Sequence, residues 1–348
     1  MKRFSFIVLV MIMILSVLTA CGSTSPNEAT DAALNQSSDK EEAVTEPVMT
    51  AAAENEPGID SEGSAQELVF PDIVTVEPLG VPEDYTKKCD EAGKIEKISY
   101  TVVYENDPEI TIEKSALVYV PYGYDPANQY ETLYLIHGGG GNEQEWLLSL
   151  NIKKVIDNMI MRGEAKPMII VTPTFYYPDG FLPDPSGVSY SQFAQELRCS
   201  LIPAVESTYA TFANGDVSEE NLVATREHRG LAGLSMGSMH TINSGLMTDL
   251  DLFSWYGSFS GAKTAAADIS AAMHSEALEP YDIAYLFVAN GTRDMSCEEH
   301  IATMTELEEI DSKLKNGENF SIVVFENAAH DFVNWQMALY RFLPIVFQ

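Results

Sequence analysis

Residues 230–237 read Gly230-Leu231-Ala232-Gly233-Leu234-Ser235-Met236-Gly237. An apolar run ends at Leu234, and a stretch with helical spacing opens at Met236 and continues to residue 247. A G-x-S-x-G pentapeptide between a strand and a helix is a sharp turn in which the serine accepts a strained backbone and the glycines clear the space around it. The serine Oγ then stands free above the sheet edge, which makes Ser235 the candidate nucleophile.

The segments around this turn share its character. Residues 132–136, 168–171, 253–259, 283–289 and 321–325 are short, wholly apolar runs like 230–234, the pattern of strands covered on both faces. Helical spacing fills the gaps at 143–161, 190–209, 236–247, 296–314 and 332–342. Such alternation predicts an α/β domain with a mostly parallel central sheet, helices on both faces and a site at the carboxyl ends of the strands. Upstream, 95–104 and 113–120 alternate apolar with polar residues on either side of Asn106-Asp107-Pro108, which predicts an antiparallel edge hairpin turning there.

A serine hydroxyl needs a base to take its proton and an acid to orient that base. In a strand-turn-helix setting of this kind both partners lie on loops after later strands, acid before histidine. Of the six histidines, His330 alone follows Ser235 directly after an expected strand; His228 and His240 are too near the turn to fold back as its base, His137 precedes it, and His274 and His300 fall in helical patterns. Asp294 is the first carboxylate after the 283–289 run, inside Asn290-Gly291-Thr292-Arg293-Asp294, with Glu298 and Glu299 a helical turn further on. Asp294 also fits the cap of the helix that follows. The intermediate's oxygen needs preorganised donors. The Met236 N–H supplies one, and the run His137-Gly138-Gly139-Gly140-Gly141 supplies the other, from Gly139 first and Gly140 second.

With these residues in place the chain resembles the feruloyl and acetyl-xylan esterases of carbohydrate esterase family 1, within the esterase D group of α/β-hydrolases. The resemblance runs from about Lys114 to Phe342. It includes Val118-Tyr119-Val120-Pro121, Tyr134-Leu135-Ile136-His137-Gly138-Gly139-Gly140-Gly141-Asn142-Glu143, Leu201-Ile202-Pro203-Ala204-Val205-Glu206, the Ser235 pentapeptide, Gly291-Thr292-Arg293-Asp294 and His330-Asp331-Phe332 with Trp335. It implies an α/β-hydrolase fold, a Ser235, Asp294, His330 triad and an acylated oligosaccharide or polysaccharide as substrate. Ser238 and Met239 depart from the small residues usual after the pentapeptide.

About twenty residues join the 253–259 run to Ile283, too few for a large helical lid. An open cleft suits an ester on a polymer. The loop 174–190 is rich in Phe, Tyr and Pro, so Tyr176 and Tyr177, with Trp146 and Trp335, are expected to line the substrate site. Other occupations of the same fold are a siderophore esterase, an envelope acyltransferase or an inactive glycan-binding lipoprotein.

The chain's 348 residues carry 52 acidic and 20 basic side chains, a formal net charge of −32. So negative a surface repels phosphate backbones and excludes a basic nucleic-acid groove. Lys2-Arg3 followed by an uncharged run to Leu18 is too short for a spanning helix and reads as a signal peptide over residues 1–20. Leu18-Thr19-Ala20-Cys21 resembles a bacterial lipoprotein signal, which implies acylation of Cys21 and an extracytoplasmic, membrane-anchored location. Residues 21–68 hold eleven acids against Lys40, no aromatic residue and few large aliphatics, the composition of a flexible tether. The enzyme-sized domain is then 69–348. Cys89, Cys199 and Cys297 show no metal-ligand spacing and are expected to be free thiols; neither metal nor cofactor is expected.

Overall fold

The computed structural model describes residues 74–76 and 80–348. The signal peptide, Cys21 and the acidic tether lie outside the described residues. One nine-stranded sheet is built from β1 (Val74–Val76), β2 (Lys94–Tyr104), β3 (Asp107–Val120), β4 (Glu131–Ile136), β5 (Met168–Thr172), β6 (Arg229–Leu234), β7 (Trp255–Phe259), β8 (Tyr285–Gly291) and β9 (Phe320–Phe325). Their spatial order is β1-β9-β8-β7-β6-β4-β5-β3-β2. Only the β2–β3 and β3–β5 pairs are antiparallel. The chain has the α/β-hydrolase architecture.

Side-chain alternation along the central strands explains why their sequences are apolar throughout. On β4, Tyr134 and Ile136 join one core, whereas Leu133 and Leu135 join the other. On β8 the same split separates Leu286 and Val288 from Phe287 and Ala289. Helices Tyr190–Glu196, Ala266–Met273 and Cys297–Ile310 cover the first face; Lys153–Met161 and Phe332–Phe342 cover the second. Each fully buried Leu, Ile or Phe contributes roughly 1.5–3 kcal/mol, so both layers are needed to hold the sheet.

Two expectations need correction. The hairpin turns at Glu105-Asn106, and Asp107-Pro108 already belong to β3. Proline is tolerated there because it opens a strand at the hairpin's outer tip, where its missing N–H breaks no interior ladder. The helix expected over 143–161 is two pieces, a π-helical turn Glu145–Ser149 and the helix Lys153–Met161, divided at Asn151, whose φ of 54° lies in the left-handed region that asparagine tolerates. All three cysteines of the folded part are free, Cys89 buried and Cys199 exposed.

Three histidines are sealed in this core. Burial holds His137 and His300 at pKa values of about 4 and His240 well below the ordinary 6.5. The His300 ring is fully partnered as a neutral group: Gly261 N–H donates to Nδ1 at 3.2 Å, and Nε2 lies 2.9 Å from Ser258 Oγ. Between pH 6.5 and 4 an unfolded chain therefore takes up protons at these sites that the native chain refuses. Native stability must fall as pH drops through that window, by about 1.4 kcal/mol per histidine for each unit of displacement. Thermal unfolding from pH 7.5 to 4.5 checks the sign. His300→Gln should flatten the slope relative to wild type, and an identical slope in the two proteins would contradict the account.

Candidate active site

The nucleophile's position follows from local sterics. Ser235 has φ 51° and ψ −118°, a strained conformation between β6 and the short helix Met236–His240. A Cβ on Gly233 would sit 2.3 Å from the Gly237 backbone, and one on Gly237 would sit 2.3 Å from the Ile136 carbonyl oxygen. Neither position accepts a side chain without moving backbone. The Ser235 N–H is anchored to the Phe259 carbonyl at 2.8 Å, which ties the turn to the end of β7.

The three residues expected to act together meet at the carboxyl ends of the strands. His330 Nε2 lies 3.0 Å from Ser235 Oγ, and His330 Nδ1 lies 2.8 Å from Asp294 Oδ1. Exposure falls along the relay: Ser235 and His330 are partly open, while Asp294 is buried. Burial opposes the charge of Asp294, yet hydrogen bonds from His330, Ser296 and Ser260 hold its pKa below the ordinary value. The carboxylate therefore stays ionised where a histidine base works.

Asp294 does not itself cap the following helix, a position that Ser296 holds. Asp294 Oδ1 also accepts from the Ser296 N–H and the Ser296 hydroxyl, each at 2.8 Å, at the entry to helix Cys297–Ile310. Its Oδ2 accepts from Asn334 Nδ2 at 3.2 Å, and the same amide nitrogen donates to Ser260 Oγ at 3.0 Å. Asn334 is a site residue absent from the sequence reading. Its signal was its place on the helix opened by Asp331, one turn beyond His330.

The glycine run after β4 is almost fully accounted for. Gly138 N–H donates to Glu145 Oε2 at 2.7 Å, Gly140 N–H to the Tyr176 hydroxyl at 2.9 Å and Gly141 N–H to the Gly138 carbonyl at 3.1 Å. Among the described residues the N–H groups of Gly139 and Met236 have no partner, and the two residues adjoin: a Cβ on Gly139 would meet Met236 Sδ at 2.8 Å. The second expected donor, Gly140, is already occupied. Glu145 was also missed; only a side chain as bare as glycine at position 141 leaves room for its carboxylate, 2.7 Å from where a Cβ would stand.

The aromatic residues expected to line the site divide. Tyr176 reaches it through Gly140. Tyr177 does not: it is buried, stacked on Phe181 at 5.2 Å and covered by the Lys114 ammonium at 4.2 Å. Trp146 is fully buried, packs edge-on against Phe259 and donates from Nε1 to the Ile136 carbonyl at 3.0 Å, so it is a core residue. Trp335 backs the base, edge-on to His330 at 5.0 Å, and is only 7% exposed. Ser238 spends its hydroxyl internally, 2.7 Å from Ser258 Oγ and 2.6 Å from the Gly261 carbonyl, which accounts for a larger residue at that position.

The sheet order, the strained turn and the Ser235, His330, Asp294 relay define an α/β-hydrolase with a serine-centred site. Residues 109–345 match the family described as "Putative esterase", and the chain belongs to that esterase family. It is 32% identical over 279 residues to endo-1,4-beta-xylanase Y of Acetivibrio thermocellus, covering 76% of this chain and 24% of that protein. It is 28% identical over 240 residues to an endo-1,4-beta-xylanase/feruloyl esterase of Xylanibacter ruminicola, covering 68% of this chain and 29% of that protein. The chain thus spans only about a quarter of the length of these curated relatives. Among solved structures it is similar to a serine-to-alanine mutant of the feruloyl esterase module from Clostridium thermocellum complexed with sinapinate, with a TM-score of 0.67 and 28% identity over 80% of this chain and 97% of that one.

Proposed function

We propose that this chain is a serine esterase that releases feruloyl or acetyl groups from plant cell-wall polysaccharide fragments, exported and held at a membrane by a lipid on Cys21. The observation that carries the chemistry is the continuous relay at 3.0 and 2.8 Å beside two unpartnered amides. His330 takes the Ser235 proton as Oγ attacks the ester carbonyl, and Asp294 stabilises the imidazolium that results. The Gly139 and Met236 N–H groups receive the oxyanion. His330 returns the proton to the leaving sugar oxygen, and water admitted by the same base hydrolyses the acyl-serine. A relay this complete argues against a retired glycan-binding scaffold.

The preference for feruloyl over other acyl groups is supported by the similarity to feruloyl esterase modules and by the aromatic side chain of Tyr176 beside the oxyanion loop. A panel of methyl ferulate, acetylated xylo-oligosaccharide and nitrophenyl acetate ranks the acyl groups. Methyl ferulate is expected to give the highest kcat/KM; a preference for the acetylated oligosaccharide would select the acetyl reading instead. Globomycin-type inhibition of lipoprotein processing, or radiolabelled palmitate incorporation lost in Cys21→Ala, tests the anchor.

A further inference from the structure

The amide that receives the oxyanion belongs to a peptide between two glycines, which can turn over at little steric cost. Something must fix its direction. The Gly138 carbonyl accepts from Gly141 N–H at 3.1 Å and faces His137 Nδ1 at 2.7 Å. A carbonyl only accepts, so Nδ1 carries the ring proton and Nε2 presents a lone pair. Nε2 lies 2.8 Å from Thr174 Oγ1, whose oxygen already accepts the Tyr176 N–H at 3.2 Å, leaving its proton for Nε2. Both ring nitrogens are thus satisfied by one tautomer.

The ring itself cannot drift. It is 1% exposed and stacks on Phe175 at 4.3 Å and Tyr176 at 5.6 Å. Thr174 is pinned in turn by Lys114 Nζ, which donates to its carbonyl at 2.6 Å while paired with the buried Glu196 at 2.7 Å. The other Glu196 oxygen accepts from the Tyr100 hydroxyl at 2.7 Å.

From this geometry we propose that His137 is a positioning residue: its Nδ1–H holds the Gly138 carbonyl so that the Gly139 N–H is presented to the oxyanion. The peptide is planar and trans, so its N–H points opposite to its C=O. A carbonyl held on the imidazole therefore aims the amide away from the ring. Gly138 and Gly139 lie against the nucleophile, since a Cβ on Gly138 would come 3.5 Å from Ser235 Cβ. Without the imidazole only the longer Gly141 N–H bond opposes a turn of the carbonyl into the space that the oxyanion needs. Burial also keeps the ring neutral, with a pKa of about 4, so the tautomer survives at neutral pH. The proposal rests on the esterase reading and adds to it a role for a histidine outside the triad.

The test compares His137→Leu, which removes the donor, with His137→Asn, whose amide can place an N–H near Nδ1. The Leu variant is expected to lose about 10²–10³ in kcat on nitrophenyl acetate, the loss typical of one oxyanion donor, with KM held within about threefold. The Asn variant is expected to recover at least about tenfold of that loss. Thr174→Val, which deletes the hydroxyl fixing the tautomer, should lower kcat by about tenfold and serves if the Leu variant does not fold. A folded Leu variant with wild-type kcat, an Asn variant no better than Leu, or a loss expressed in KM alone overturns the positioning role. Wild-type protein without Ser235-dependent activity would instead bring down the esterase reading and this proposal with it.

Discussion

Ser235→Ala is expected to lower kcat by about 10⁶ and to abolish covalent labelling by a fluorophosphonate probe. The substitution deletes one oxygen and nothing that shapes the turn. Gly233 and Gly237 keep the close approaches that force φ to 51°, and the Ser235 N–H bond to Phe259 involves only backbone. Circular dichroism and Tm should therefore match wild type, which separates lost chemistry from lost fold. The remaining rate should exceed that in water, because the proposed oxyanion donors, the Gly139 and Met236 amides, are untouched by the substitution. Activity within about tenfold of wild type would remove Ser235 as the nucleophile.

Asp294→Asn is expected to cost about 10⁴ in kcat while leaving the shape of the site nearly intact. Three donors converge on Asp294 Oδ1, from His330, the Ser296 N–H and the Ser296 hydroxyl, and a fourth, Asn334 Nδ2, reaches Oδ2. An asparagine that keeps its oxygen at Oδ1 sets its own NH₂ against that of Asn334; turned over, it loses His330 and Ser296 together. Either way the negative charge that balances the imidazolium is gone. Asp294→Ala should match the kinetic loss and also lower Tm, because the entry to helix Cys297–Ile310 loses its acceptor. Equal Tm for the two variants would show that the helix does not depend on this carboxylate.

The serine turn was legible because its sterics are local: an apolar strand, a pentapeptide and a helix follow one another within about twenty residues. Asp294 and His330 were legible for a related reason, each being the first suitable group after a strand that ends at the same sheet edge. Side-chain direction in loops was not legible. Trp146 and Tyr177 are neighbours of site residues in sequence, yet each turns inward, Trp146 to the Ile136 carbonyl and Tyr177 to Lys114. Nothing in a glycine- and proline-rich stretch tells which way an aromatic ring faces. The second layer around the site escaped for the same reason, since Glu145, Thr174 and Asn334 act through partners brought close only by folding. The helix Ala266–Met273 escaped because exposed alanines at 267 and 271 blur the short stripe of Ala266, Ile269 and Met273, and β1 because three residues are too few for a period to show.

The connection from β7 to β8 spends its one helix on the core: Ala266, Ile269 and Met273 are buried, and the helix packs beside Cys297–Ile310. Among the described residues this connection supplies no hinged cover over Ser235. With no cover from that connection, an acyl group carried on Ser235 would meet solvent from the moment the leaving alcohol departs, so the choice between hydrolysis and transfer to another alcohol would follow the bulk ratio of water to acceptor. Turnover should then start without a lag when detergent or an insoluble surface is added, since interfacial activation requires a flap to be displaced.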